Sequence, residues 1–190
     1  MACDGSDVRR DDRAPVPVKI LIAGGCGTGK TTLMGALTRV RPLLIEESVT
    51  TDFGRITISG GLVMYLFAMP GQERFWPTWD DLSRGTLGAV VLADLRRLAD
   101  CAPAIDYFER RSTPFVVALN SFSGTPRHGL HPVRKALDLG PHVPIVRCDA
   151  RERGSCRDTL VTLVDHAIAV GFARTSRSTG AVLVRTKEGG

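Results

Sequence analysis

The sequence contains no apolar run near the roughly 18 residues that a membrane-crossing helix needs, so no direct membrane insertion is expected. Cysteine is sparse and odd in number: Cys3, Cys26, Cys101, Cys148 and Cys156, with no C-x-x-C pair. That usage excludes a disulfide framework and a zinc ribbon, and it suits reduced thiols in a cytoplasmic protein. The four histidines, His128, His131, His142 and His166, lack the Cys/His spacing of a metal site. Met1 to Pro15 carries no apolar h-region, so no secretory signal is expected. No glycine follows Met1 and the end reads Lys187-Glu188-Gly189-Gly190, which gives no lipidation motif. Charge of one sign is also scarce. The net charge is only +5, with Arg and Lys scattered, which argues against dedicated nucleic-acid binding.

What is present is a chain of 190 residues, enough for one domain with a real core. Residues 1–15 are expected to form a disordered arm, 16–172 the domain, and 173–190 a flexible tail. Within the domain, apolar runs alternate with helical patterns. Strands are expected at Val16 to Ala23, Arg55 to Ser59, Leu62 to Ala68, Gly88 to Asp94, Pro114 to Asn120 and Pro144 to Cys148. Helices are expected at Lys30 to Val40, Leu98 to Arg111, His131 to Leu137 and Ser155 to Gly171. Gly60-Gly61 reads as a hairpin turn. The pattern predicts an α/β fold of the P-loop NTPase kind: a mostly parallel sheet, one antiparallel edge strand, helices on both faces.

The run Gly24-Gly25-Cys26-Gly27-Thr28-Gly29-Lys30-Thr31 fits G-x-x-x-x-G-K-[ST] and stands between a strand and a helix. Glycines let the backbone curl until its N–H groups converge on a phosphate, and the helix N-terminus adds partial positive charge. Lys30 is expected at the β- and γ-phosphates, Thr31 at Mg²⁺ and Thr32 at the α-phosphate.

Directly after the strand at 62–68 comes Pro70-Gly71-Gln72-Glu73-Arg74-Phe75. In Ras-like switches a glycine here donates its N–H to the γ-phosphate and the next Gln orients the attacking water, so Gly71 and Gln72 are the candidates. An Asp usually stands three residues before that glycine and holds the Mg²⁺ shell; here the position is Ala68. A first switch needs a Thr that closes over the metal, and Thr50 or Thr51, in the loop read at 46–53, is the candidate. Arg55 and Arg74 are the candidates for an arginine acting from within the chain. Trp76 and Trp79 are read either as partner anchors beside the γ-phosphate or as core under the switch.

The runs Asp52-Phe53-Gly54-Arg55, Tyr65-Leu66-Phe67, Pro70 to Trp76, Phe115 to Asn120 and Cys148-Asp149-Ala150-Arg151 resemble the conservon-type small GTPases of actinobacteria. These are related to the bacterial polarity GTPases of gliding motility. The resemblance implies a GTP/GDP-binding switch that uses Mg²⁺. It implies action beside a roadblock-type protein, a small companion protein and a sensor histidine kinase-like membrane protein, with recruitment to the membrane by partners. It also assigns Asn120, Ser123, Asp149 and Ala150 to the base. The family's usual run is Asn-x-Phe-Asp, whereas this chain has Asn120-Ser121-Phe122-Ser123. The lost carboxylate would accept from guanine N1–H and the exocyclic amine at about 1.5–3 kcal/mol per bond, so guanine preference is expected to be weaker than usual. Asn120 is expected to tie its loop to the phosphate loop, and the Ala150 N–H to meet guanine O6.

The reading is a weak GTPase serving as a switch. The alternative is a degenerate scaffold that binds ATP or GTP with little or no hydrolysis. A small P-loop kinase is disfavoured, because no lid with several arginines is visible.

Overall fold

The computed structural model describes residues 15–46, 49–58, 61–121 and 129–185. Seven strands form one sheet in the order β2-β3-β4-β1-β5-β6-β7. The central strand, β1 (Val16–Ala23), is exposed at its start and fully buried from Ile20 to Ala23. It pairs in parallel with β4 (Leu62–Ala68) on one side and β5 (Thr86–Asp94) on the other. Beyond β5 lie β6 (Phe115–Asn120) and β7 (Ile145–Cys148), again parallel. These strands are covered on both faces, which is why they read as continuous apolar runs.

Side chains alternate between two cores. Leu21, Ala89, Val91, Val117 and Leu119 pack under α2 (Trp79–Ser83), α3 (Ala102–Arg110) and α4 (Leu130–Ala136). Ile20, Ile22, Val90, Leu92 and Val116 pack under α1 (Lys30–Leu37) and α5 (Arg153–Arg185). Each core is centred on fully buried bulk, Phe108 in the first and Leu163 in the second. Truncating such a residue to Ala costs about 2–5 kcal/mol. The architecture is the expected mostly parallel α/β sheet with helices on both faces.

Three elements differ from expectation. Of the segment 46–53, read as a loop, Glu46 ends β2 (Val40–Glu46) and 49–53 begin β3 (Val49–Ile58), which is antiparallel to β2; residues 47 and 48 lie outside the described residues. Its Thr and Glu residues suggested a loop, but β-branched and aliphatic residues dominate on either side and favour a pleated surface. β3 is also antiparallel to β4, so the expected antiparallel strand is present, with β2 added outside it. The helix expected from Leu98 is divided into a 3-10 segment, Leu95–Cys101, and α3. Pro103, in the first turn of α3, fits a helix start and not a helix interior. Finally, α5 continues well past Gly171, since a lone glycine costs a helix about 1 kcal/mol without ending it.

Candidate nucleotide site

The phosphate loop leaves the buried end of β1 and enters α1 at Lys30. Its conformation requires glycine at two places above all. Gly24 has φ +134°, and a Cβ there would collide with the Leu92 carbonyl. Gly29 has φ +100°, and a Cβ there would stand 2.6 Å from Asn120 Nδ2. The buried Thr28 hydroxyl donates to the Gly25 carbonyl at 3.0 Å and closes the bend from within. No side chain caps α1 and no acidic residue of its own occupies its first turn, so its positive end is directed at the loop.

Lys30 Nζ donates to the carbonyls of Gly24 (2.9 Å) and Gly25 (2.8 Å), which folds the ammonium over the loop. Burial lowers its pKa, opposed by the nearby Cys26 and Asp52. Thr31 and Thr32 are exposed on the first turn of α1. Cys26 is exposed at the crest of the loop, whereas Cys101, Cys148 and Cys156 are buried.

Gly71 lies against this loop. A Cβ on it would stand 2.8 Å from the Gly24 carbonyl and 3.1 Å from the Cys26 nitrogen. Only a residue without a side chain brings its backbone this close. Gln72 follows as an exposed residue at the start of the 3-10 segment Glu73–Thr78. Behind it, Trp79 is 4% exposed and donates its indole N–H to the Pro70 carbonyl at 3.1 Å. Trp76 packs on the same core, 5.6 Å from Trp79 between ring centroids. The tryptophans therefore support the segment that follows Pro70 from beneath. Arg74 lies over the Phe75 ring, and Arg55 is exposed on β3.

One expected metal ligand is corrected. Thr51 is buried, and its hydroxyl donates to the Ala68 carbonyl, which locks it into the sheet and away from a metal. Thr50 lies in the same strand, opposite Leu44. The next residue, Asp52, was given no site role in the sequence; its carboxylate accepts a hydrogen bond from the Thr31 hydroxyl. An alcohol and a carboxylate at the first turn of α1 are hard oxygen donors of the kind Mg²⁺ takes, so the residues present fit that ion.

At the far end of the loop, the buried Asn120 acts as a clamp. Its Nδ2 donates to the Thr28 carbonyl at 2.8 Å, and its Oδ1 accepts from the Ala150 N–H at 3.1 Å. The expected tie from Asn120 to the phosphate loop is present, but the Ala150 N–H is directed at Asn120. Asp149 accepts from the backbone N–H and the guanidinium of Arg151. Arg151 holds the Asp149 carboxyl down at about 2. Asp149 thus shapes the 149–151 turn instead of pointing a vacant acceptor at a base. Ser123 lies outside the described residues.

A hollow of about 350 Å³ opens beside this clamp, lined by Gly29, Thr32, Arg96, Asn120, Ala150 and Arg151. Arg96 is the residue that sequence reading missed here. Its guanidinium is fixed by Asp94 at 2.7–3.2 Å, just past the carboxyl end of β5. Ligands of open α/β sheets collect at those strand ends, which was the available signal.

A glycine bend, an invading lysine and a base-side hollow along one rim of the sheet define a P-loop nucleotide-binding domain. The chain belongs to the family described as "Conserved hypothetical ATP binding protein", which matches residues 48–170; the glycine bend lies ahead of that stretch. Among solved structures, the G domain of the T. maritima FeoB iron transporter superposes with a TM-score of 0.61 at 18% identity, over 82% of this chain and 99% of that one. The FeoB G domain of Methanococcus jannaschii gives 0.60 at 16% identity, over 80% and 97%. The GDP form I of the T. maritima cytosolic domain gives 0.65 at 18% identity, over 82% of this chain and 65% of that one. The fold is that of G domains. No curated protein matches the chain. Among the described residues, no helix is long and apolar enough to cross a membrane.

Proposed function

We propose that this protein is a GTP-binding switch with slow intrinsic hydrolysis. The observation that carries the reading is the seating of Gly71 on the phosphate loop, because it puts the second switch where a third phosphate must be met. A γ-phosphate entering the loop would displace Gly71 or draw its N–H into a hydrogen bond. Either response gives the triphosphate and diphosphate forms different surfaces, which is what a switch requires.

In this reading the Lys30 ammonium exchanges the Gly24 and Gly25 carbonyls for phosphate oxygens, and the amides of residues 25–31 hold the chain of phosphates. Gln72 orients the attacking water. Mg²⁺ bound beside Thr31 would neutralise charge on the phosphate oxygens. Unassisted turnover is on the order of 10⁻⁴ s⁻¹ in such sites. The base sits in the hollow at Asn120, and guanine is preferred weakly because Ser123 replaces a carboxylate. The conservon-type assignment, with a roadblock-type protein, a small companion and a sensor histidine kinase-like protein as partners, belongs to this same proposal. So do a cytoplasmic location and recruitment to the membrane by those partners.

The test is competition of GTP and ATP for the purified protein, with turnover of wild type and Gln72→Leu. The reading expects a modest guanine preference, and in the variant intact binding with slower turnover. Equal affinity for both nucleotides removes the guanine assignment, and unchanged turnover removes Gln72.

A second reading, a nucleotide-binding scaffold with little hydrolysis, is favoured by the burial of Thr51, which leaves the first switch as a strand. Partner affinity measured with GDP and with GTP separates the two: a switch shows a difference and a scaffold none.

A further inference from the structure

Two copies of one turn flank β6. Asp94-Leu95-Arg96 closes β5, and Asp149-Ala150-Arg151 follows β7. In each, the carboxylate accepts from the backbone N–H of the arginine two residues on, at 2.9 and 3.0 Å. It also accepts from that arginine's Nε, at 3.0 and 2.9 Å, and from its Nη2, at 2.7 Å in both. The strand register sets Asp94 beside Asn120, and Asn120 beside Cys148, the residue before Asp149. Both arginines line the hollow of about 350 Å³ that Asn120 also lines. Their side chains are 60% and 59% exposed, over carboxylates that are 7% and 27% exposed. Each arginine thus offers a ligand its surface in an orientation fixed by its own carboxylate.

The groups suited to reading a base by its edge, two carboxylates and an amide, are already committed. Both carboxylates hold arginines, and the Asn120 amide holds Thr28 and Ala150. Each guanidinium charge is matched by its own carboxylate, so the two pairs carry no surplus charge for a second anion. A carboxylate bound at Nε and Nη2 engages the edge of a guanidinium, whereas its faces are what stack on aromatic rings. Every base has such a face, and stacking tolerates its identity. We propose that Arg96 and Arg151 are base-binding residues that hold a purine by its faces, with little distinction between guanine and adenine. The proposal rests on the nucleotide reading above. It names the ligand class as purine nucleoside phosphates, since two fused rings give two guanidinium groups more area than a pyrimidine does.

The experiment is calorimetric titration of the full chain with GTP, ATP, UTP and inorganic tripolyphosphate, each with Mg²⁺. Wild type is compared with Arg96→Lys, Arg151→Lys and the double variant, which keep the charges and remove the planes. Wild type should bind GTP and ATP with similar affinity and UTP more weakly. Each lysine variant should lose about 5–150-fold in affinity for GTP, and the same factor for ATP. Tripolyphosphate binding should not change, which also reports that the variants fold and keep the phosphate loop. Variants with wild-type affinity for both purine nucleotides would overturn the clamp. So would a loss confined to one of them, which assigns the base to edge recognition. An equal loss for tripolyphosphate would overturn it too and place the arginines on the phosphates. A wild type that binds tripolyphosphate as tightly as GTP overturns the clamp and leaves the phosphate loop standing. A wild type that binds neither nucleotide nor tripolyphosphate overturns the reading beneath it as well.

Discussion

The side-chain amide of Asn120 occupies the space that a Cβ on Gly29 would need, 2.6 Å from where that carbon would stand. Phosphate loop and base clamp are thus fitted to each other, and neither can be changed alone. Gly29→Ala adds both a collision and a strained φ of +100°, worth about 1–3 kcal/mol. It should lower nucleotide affinity at least tenfold, read by calorimetric titration. A variant with wild-type affinity would mean that the loop adjusts freely.

Asn120→Ala removes the donor to Thr28 and the acceptor for Ala150 together. Each buried group left unpaired costs about 1–3 kcal/mol. The variant should melt several degrees lower and release nucleotide faster. Unchanged melting would show that water replaces the amide without cost.

Much of this was legible in the sequence, and the reasons are local. The glycine bend, β1, β4 and Gly71 are fixed by backbone demands that only certain residues meet. The hairpin of β2 and β3 was not legible, because Thr50-Thr51 suits a loop and a strand equally and only pairing with Leu43 and Leu44 decides it. Asp52 was hidden for a related reason: its contact with Thr31 depends on strand register and not on any spacing along the chain. Arg96 was hidden because its anchor, Asp94, reads as an ordinary strand end until the hollow beside it is seen.

Cys26 gives a direct probe of the loop. It is exposed on the phosphate-binding bend, while Cys101, Cys148 and Cys156 are buried; burial also pushes the Cys101 thiol up to about 11. In a Cys3→Ser background, a maleimide should modify one thiol quickly, at Cys26, and bound nucleotide should slow that reaction at least tenfold. Peptide mapping by mass spectrometry identifies the site. Labelling at the same rate with and without nucleotide would separate Cys26 from the phosphates.

The Asp149–Arg151 pair sets an acid limit on the base-side turn. The carboxyl titrates at about 2 in the folded chain against an ordinary 3.8. Its folded pKa is depressed, so its contribution to stability is complete above about pH 4 and is lost as pH falls toward 2. Asp149→Asn should therefore melt lower than wild type at pH 6, and the gap should narrow below pH 4. A gap that stays constant with pH would assign the loss to packing instead of charge.

Trp79 links the segment at Pro70 to the core through its bond to the Pro70 carbonyl. Trp79→Phe keeps most of the ring but drops the donor, at about 1 kcal/mol, which corresponds to roughly 2–4 °C in melting temperature for a domain of this size. Denaturation followed by circular dichroism checks it. No shift would mean that the Pro70 carbonyl finds another donor.

The most direct test of the account is mass spectrometry of the small molecules released by acid from freshly purified protein, beside the Lys30→Ala variant. GDP or GTP is expected in the wild type and none in the variant. Adenine nucleotides alone, or an empty wild type that also fails to take up added GTP, would contradict it.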